Sequence, residues 1–409
     1  MPPTDTAALV GALFARDAAV LADPYPAHRA LREAGPVVYV PAPPGAPPSH
    51  SAWHMFGFAD ISAALRDPRF SSSRHLGGPQ QDKLTSASAD PGVGFMMRMM
   101  GSMMLTKDGK DYSRLRGLVQ AAFTPRVIER LRSDVETLVN QLLDEAIARD
   151  AAVFDLVPDL AMPLPAIVIA RLLGVPEDDW ASFKRLSDGI IGGDLGPQKF
   201  ANFLELGQYL QQAMDQRRAA PTDDLIGGLV AAHLDDGDTL SDGELIAQVV
   251  ALMVGGHETT TCAVVNLLRT PGAWAGLDDA TIPAAVEECL RFDPPFQSLA
   301  RRAATDVGVF GQRIRENDTV WCWIGAANRD PARFSDPERF DPARADKRHL
   351  SFGLGPHFCL GAALAQLEMQ TAISALRLRF PALRLRDAEI AWNTVSMVRG
   401  PRSLPLLAG

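Results

Sequence analysis

The sequence is poor in cysteine. Its 409 residues include four, Cys262, Cys289, Cys322 and Cys359, and no two of them form a C-x-x-C pair. That number and spacing exclude a disulfide framework and fit a reducing compartment. No apolar run is long enough to cross a bilayer, and the N-terminal MPPTDTAALVGALFARD lacks a basic segment leading into a long apolar one. Neither a membrane span nor a secretory signal is expected, and the chain is read as cytoplasmic. Basic runs are missing too: 40 Lys and Arg against 49 Asp and Glu leave a net charge of −9, which argues against nucleic acid as a partner. No repeat recurs at a fixed period and no linker interrupts the chain. The most proline-rich stretch, residues 41–48 (PAPPGAPP), reads as a rigid surface loop between two extended segments, Val37–Val40 and Ala52–Phe56. With 47% hydrophobic residues there is material for one large core, so a single domain over 1–409 is expected.

What is present reads mainly as helix. Val127–Ala148 keeps apolar residues at three- and four-residue spacing, Leu156–Leu173 is more apolar, and Pro176 with Glu177–Asp179 opens a further helix. Ser241 and Glu244 have the form of a capping box before an apolar run reaching about Leu268, roughly 40 Å of helix. Extended segments are expected near 37–57, 306–324 and 392–407. The fold class is therefore mainly α with minor β.

Two segments carry chemistry. The first is Ser351–Gly361 (SFGLGPHFCLG), which runs into a periodic helix over Ala362–Leu378. A thiolate at a helix N-terminus meets unpaired N–H groups and the positive end of the dipole, which favour the anion. Gly353, Gly355 and Gly361 let backbone approach a flat ligand. A lone cysteine is more often buried and inert. Two other readings fail: the third glycine of a dinucleotide fingerprint is Phe358, and only His349 and His357 are near enough to help a zinc site. The second segment is Gly255–Thr261 (GGHETTT), inside the capped helix. Two interior glycines cost about 1 kcal/mol each relative to Ala, so a bulky planar group against the helix is one explanation and close packing is another. Thr259 and Thr260 can bond the carbonyls of Gly255 and Gly256 and bend the helix. His257-Glu258 begins like a zinc-protease motif, but the second ligand is replaced by Thr261.

The pattern F-G-x-G-x-H-x-C-x-G over Phe352–Gly361 resembles the haem-binding loop of the cytochrome P-450 family, with every fixed position filled. Gly255–Thr259 resembles that family's oxygen-activation motif [A/G]-G-x-[D/E]-T. The resemblance implies the P-450 fold, with haem between a long central helix and a Cys-loop helix. It makes Cys359 the axial iron ligand, His357 a propionate contact and Phe352 a neighbour of the sulfur. Thr259 would steady the bound oxygen, and Glu258 would serve proton delivery. Glu288 and Arg291 form an E-x-x-R pair, and Pro337–Phe340 (PERF) implies that Arg339 completes a structural Glu-Arg-Arg cluster. Arg301, with Arg302 competing, is matched to a propionate-binding arginine. The block Thr106–Arg116 with Phe123–Arg126 resembles D-P-P-x-H-x-R-L-R…F-T-P-R, but both prolines are replaced, by Gly109 and Lys110, and the histidine is Tyr112. Arg116 is retained. A phenol donates one hydrogen bond but carries no positive charge, so Arg116 and Arg301 are expected to supply most of the charge.

By the same resemblance the chain is a haem-dependent monooxygenase. It would use haem b, O2 as co-substrate, and electrons from NAD(P)H through a separate ferredoxin or flavodoxin-like donor and its reductase. Lys347, Arg348 and the Arg114 region would offer charge for docking that donor. A monomer is expected. Oxidative cyclisation or coupling by the same haem chemistry stays open, and a haem-binding sensor without turnover is the reading from another class. The pocket implied by resemblance draws on the loop before Thr106, the helix around Leu252 to Thr260, the segment Phe296 to Ala300 with Leu299 in it, and the turn near Met397 and Val398. Residues 95–104 (FMMRMMGSMM) hold six of the 13 methionines, among them Met96, Met97, Met100 and Met103. Methionine suits a surface that adapts to apolar shapes, although about half of these are expected to fill the core. Arg98 is expected to point outward and Arg399 to lie beyond the pocket. Hydroxylation or epoxidation of a bulky, mostly apolar natural product or xenobiotic is expected.

Overall fold

Short runs of β-branched and aromatic residues make some of the strands, as in Val37–Val40 (VVYV) and Thr319–Cys322 (TVWC). The computed structural model describes residues 5–42, 51–72, 91–191, 196–234, 237–274, 276–309, 311–386, 390–393 and 398–408. The strands are β1 (Val37–Val40), β2 (Ala52–Met55), β3 (Phe70–Ser71), β4 (Val153–Asp155), β5 (Leu299–Ala303), β6 (Val307–Val309), β7 (Gln312–Ile314), β8 (Thr319–Cys322), β9 (Arg384–Leu385) and β10 (Pro405–Leu407). They form a five-stranded sheet ordered β1-β2-β8-β5-β3, a three-stranded sheet β4-β10-β9 and the hairpin β6-β7. Residues 43–50, which take in most of the proline-rich stretch between β1 and β2, lie outside the described residues.

The chain divides into two compact units, residues 1–71, 139–161 and 259–409 in one and 72–138 with 162–258 in the other. The division at 258/259 falls inside the unbroken helix Asp242–Arg269, so it is not a linker. All the named strands belong to the first unit. Its sheet packs Val37, Met55, Phe70, Val320 and Cys322 against Ile61 of the helix Phe58–Ala64 and against Leu350. A second cluster gathers Leu31, Phe56 and Trp323, with the Phe56 and Trp323 rings stacked at 6.2 Å. The second unit is helical. In it the capping box forms as expected: Ser241 N–H donates to Glu244 at 2.9 Å, and Glu244 N–H donates to Ser241 Oγ at 3.4 Å.

Several boundaries differ from expectation. The span 127–148 is two helices, Pro125–Arg130 and Arg132–Arg149, separated at Leu131, whose N–H turns back to the Ile128 carbonyl. Prolines interrupt 156–173: Val157–Ala161 is one π turn containing Pro158, and Pro163 starts the α-helix Pro163–Leu172. The segment before Thr106 is the helix Pro91–Ser102 and not a loop. Extended structure in 306–324 ends at Cys322, because Ile324–Ala327 is a helical turn, and among the described residues of 392–407 only Pro405–Leu407 is a strand.

Two buried histidines make the first unit sensitive to acid. His28 sits between Tyr25 and Trp323, and burial with the nearby Arg329 lowers its pKa to about 3. His54 accepts a hydrogen bond from Trp323 Nε1 at 3.0 Å, and burial lowers its pKa to about 4. Below pH 6.5 the unfolded chain takes up protons that these rings refuse, so folding stability falls with pH. The loss is about 1.4 kcal/mol per pH unit per ring until the folded pKa is reached. Denaturant midpoints measured between pH 7 and 5 should show a smaller loss in His28→Phe than in wild type. An equal loss in both would remove His28 from this account.

Candidate functional site

The cysteine loop lies in the first unit. Cys359 is exposed, whereas Cys262, Cys289 and Cys322 are buried. Its N–H donates to the Phe352 carbonyl at 2.8 Å, which closes the loop. Gly353 and Gly355 have φ of 71° and 76°, left-handed values that favour glycine. At Gly355 a Cβ would also come within 2.7 Å of the Leu65 carbonyl. The helix Ala362–Arg379 follows, and its N-cap Gly361 makes no side-chain cap, so the first-turn N–H groups keep their positive end two residues from the sulfur-bearing position. His357 is half-buried in the turn Gly355–His357, and the Phe352 ring lies edge-on to Phe358 at 6.2 Å.

Beneath the loop is a buried ion cluster. Glu288 and Arg291, both fully buried on the helix Ile282–Phe292, pair through two hydrogen bonds of 2.7 and 2.8 Å. The third cation is Arg344 and not Arg339. Arg344 Nε donates to Glu288 at 3.3 Å, as does the Asp341 N–H at 2.9 Å. The Arg339 guanidinium turns outward to Asp341, and its carbonyl alone reaches inward, accepting from Arg291 and Arg344. The chain folds back at Asp341, so the arginine five residues beyond the motif position faces Glu288.

Asn328, which the sequence reading missed, joins cluster to loop. Its carbonyl accepts from Arg291, its Oδ1 accepts from the Leu350 N–H at 2.8 Å, and its Nδ2 donates to Ser351 Oγ at 2.8 Å. His349 lies 3.5 Å from Glu287, a second tether. Of the competing arginines on β5, Arg301 is buried and Arg302 half-buried. A further cluster surrounds Asp293. Burial alone would raise this carboxyl, but Arg399 and Arg269 outweigh it and hold the pKa below the usual range. Arg399 is therefore a core residue: it bonds Asp293 and the carbonyls of Leu21 and Ala22. No local sequence signal marks it.

In the second unit Tyr112 is buried and hydrogen-bonded to Arg116. Burial raises the phenol pKa and Arg116 opposes the rise. Arg114 is not available for docking, because Glu244 and Asp238 neutralise it. Arg348 is tied to Asp346. The two helix glycines have different settings. Among the described residues no atom of another segment lies within 4 Å of a Cβ on Gly255, whereas one on Gly256 would meet Ile169 Cδ1 at 2.5 Å. Gly256 thus serves packing against Pro163–Leu172, and Gly255 leaves open ground beside Val254, which is 40% exposed. Glu258 and Thr259 are half-buried neighbours, and Thr260 is buried. His257 is buried with Nε2 3.2 Å from the Met162 carbonyl.

Of the pocket candidates, Met96 and Met103 are buried, while Met97, Met100, Leu252 and Leu299 are half-buried. Arg98 is exposed as expected. Val398 is buried and bridges to Phe296, and Met397 lies outside the described residues.

The donor chemistry fits a haem. Among the described residues no three His, Cys, Asp or Glu side chains come together as a metal site. One exposed cysteine at a helix N-terminus suits an iron whose remaining donors would come from a macrocycle. Among the described residues no helix is long and apolar enough to cross a membrane.

Comparison with known proteins agrees with this chemistry. The Cytochrome P-450 family profile matches residues 281–399. Nocardicin C N-oxygenase from Nocardia uniformis subsp. tsuyamanensis is 38% identical over 95% of this chain and 96% of its own. The cytochrome P-450 monooxygenase PikC from Streptomyces venezuelae is 38% identical over 94% of this chain and 91% of its own. The solved structure of PksS, the cytochrome P-450 of the Bacillus subtilis 168 bacillaene polyketide synthase, superposes with a TM-score of 0.85. It is 33% identical and covers 96% of this chain and 99% of its own.

Proposed function

This chain belongs to the cytochrome P-450 family and is a monooxygenase, and from that premise we propose that it oxygenates a bulky, mostly apolar natural product with Cys359 as the sole protein ligand of its haem iron. The observation that carries the assignment is the single exposed cysteine, on a loop clamped to a buried ion cluster, ahead of an uncapped helix. Haem b, when bound, supplies the activation of O2 and the transfer of one oxygen atom. The chain supplies the rest. The first-turn N–H groups of Ala362–Arg379 would favour the thiolate form of Cys359. Arg301, His357 and Arg116 would bind the propionates, and Tyr112, carrying no charge, would add one hydrogen bond. Gly255 keeps the helix surface flat, and Phe352 and Gly353 pack beside the sulfur.

Glu258 and Thr259 would manage protons: the carboxylate exchanges them with solvent and the hydroxyl passes them on within the site. The half-buried Met97, Met100, Leu252 and Leu299 offer apolar contact and no charge, which suits a substrate held by shape. The relatives named for a nocardicin and for a polyketide synthase support a natural product as substrate. Electrons would come from NAD(P)H through a separate ferredoxin or flavodoxin-like donor meeting the chain near the cysteine loop, where Lys347 adds positive charge. Thr259→Ala tests the proton role. With a surrogate ferredoxin and reductase, it should keep its haem yet lower product per NADPH consumed by about tenfold or more, the balance appearing as peroxide. Unchanged coupling would contradict the role.

A further inference from the structure

We infer that Gln248 is a positioning residue that fixes the methionine-rich segment against the long helix and so sets the bulk of ligand the enzyme accepts. The inference rests on the haem-enzyme reading above for its ligands, but its geometry lies wholly within the second unit.

Gln248 is an uncharged polar side chain that is fully buried inside an apolar helix face. Such a group is tolerated only when its hydrogen bonds are made, and here they are. Its Oε1 accepts from the Met104 N–H at 2.9 Å. Its Nε2 donates to the Ser102 carbonyl at 2.9 Å and to the Glu244 carbonyl at 3.1 Å. The side-chain amide therefore spans the corner where the helix Pro91–Ser102 ends and the turn Met104–Thr106 begins. Met103, at that corner, is extended, with φ −66° and ψ 137°. The corner is braced from its other side by Thr106, whose hydroxyl donates to the Met103 carbonyl at 2.8 Å. An apolar residue at 248 would leave the buried Met104 N–H and Ser102 carbonyl without this partner.

The position along the helix gives the clamp its consequence. Residues 244, 248, 252 and 255 follow at spacings of four, four and three, so they share one helix face. At 244 that face holds Arg114, and at 248 it holds the methionine corner. From 252 onward the described residues no longer cover it fully: Leu252 is half-buried, and none of their atoms lies within 4 Å of a Cβ built on Gly255. Gln248 is thus the last fixed point before the open ground, and it determines how far Met103 and Met104 stand from that ground.

Gln248→Met keeps the length of the side chain and removes its hydrogen bonds. In the haem-loaded variant, amide hydrogen exchange over residues 99–106 should rise by about tenfold or more, while the cysteine loop stays protected. In azole titrations followed by the haem spectrum, the Kd of 4-phenylimidazole should change by about fivefold or more and that of imidazole by less than about twofold. Unchanged exchange at 99–106, or an equal change for both azoles, would overturn the inference. If Gln248→Met does not fold, Gln248→Glu keeps the acceptor for Met104 and loses the donor to Ser102. It should shift both readouts in the same direction by less, and wild-type behaviour there would also overturn it. The exchange measurement needs no azole, so an absent azole spectrum would count against the haem reading and leave the clamp to be judged by exchange.

Discussion

Cys359→Ala is expected to abolish the strongly red-shifted Soret band of the ferrous–CO complex and to impair haem retention, while leaving the fold in place. The fold should survive because Cys359 is exposed and its loop is held through other groups. These are its own N–H to Phe352, and Asn328 to Leu350 and Ser351. No other cysteine can take over. Burial raises the Cys289 pKa well above the ordinary thiol value and pushes Cys322 up to about 11, so each stays a neutral thiol. Cys262 is packed against Gly400, where a Cβ would come within 2.3 Å of its sulfur. Cys289→Ala should keep the spectrum and lose stability instead, the usual cost of a buried side chain. A normal red-shifted band in Cys359→Ala would remove it as the ligand.

Breaking the buried cluster should have the second large effect, and it separates two arginines five positions apart. Arg344→Met removes a cation that is 7% exposed from a carboxylate with no exposure. Cutting one partner from a buried ion pair costs about 3–5 kcal/mol where the other charge is left alone. Here Glu288 keeps Arg291 while the carbonyls of Ser335, Asp336 and Arg339 each lose a donor, so a loss toward the lower end, about 3 kcal/mol, is expected. Arg339→Met removes a side chain that is 67% exposed and paired at the surface with Asp341, which is worth about 0–1 kcal/mol. Thermal or urea unfolding of the two variants should therefore differ by several kcal/mol, with Arg344→Met also yielding less haem-loaded protein. Equal stability would show that Arg344 adds nothing to the Glu288–Arg291 pair.

The cysteine loop was legible because its information is local: glycines at two left-handed positions, a cysteine and a helix start all lie within ten residues. The long helix was legible from its capping box and apolar run. Arg344 was not, since the PERF motif fixes a sequence position while the turn at Asp341 decides which side chain faces Glu288. Nor was β5, because Arg301 and Arg302 break the apolar alternation that announces a strand. The Arg399–Asp293 pair joins residues 106 positions apart, and a lone arginine near a C-terminus carries no sign of its partner. A glutamine on a long helix carries no sequence sign that it holds another segment. Only the burial of its amide reveals what it holds.

The central claim is that this chain inserts one atom of O2 into its substrate. The most direct measurement is the mass of product formed under 18O2, with a surrogate ferredoxin, its reductase and NADPH, on a substrate found by its effect on the haem spectrum. Product carrying one 18O atom, with none in Cys359→Ala reactions, is the expected result. Oxidised product without label, formed at the same rate as NADPH is consumed, would contradict oxygen insertion and point to ring closure or coupling.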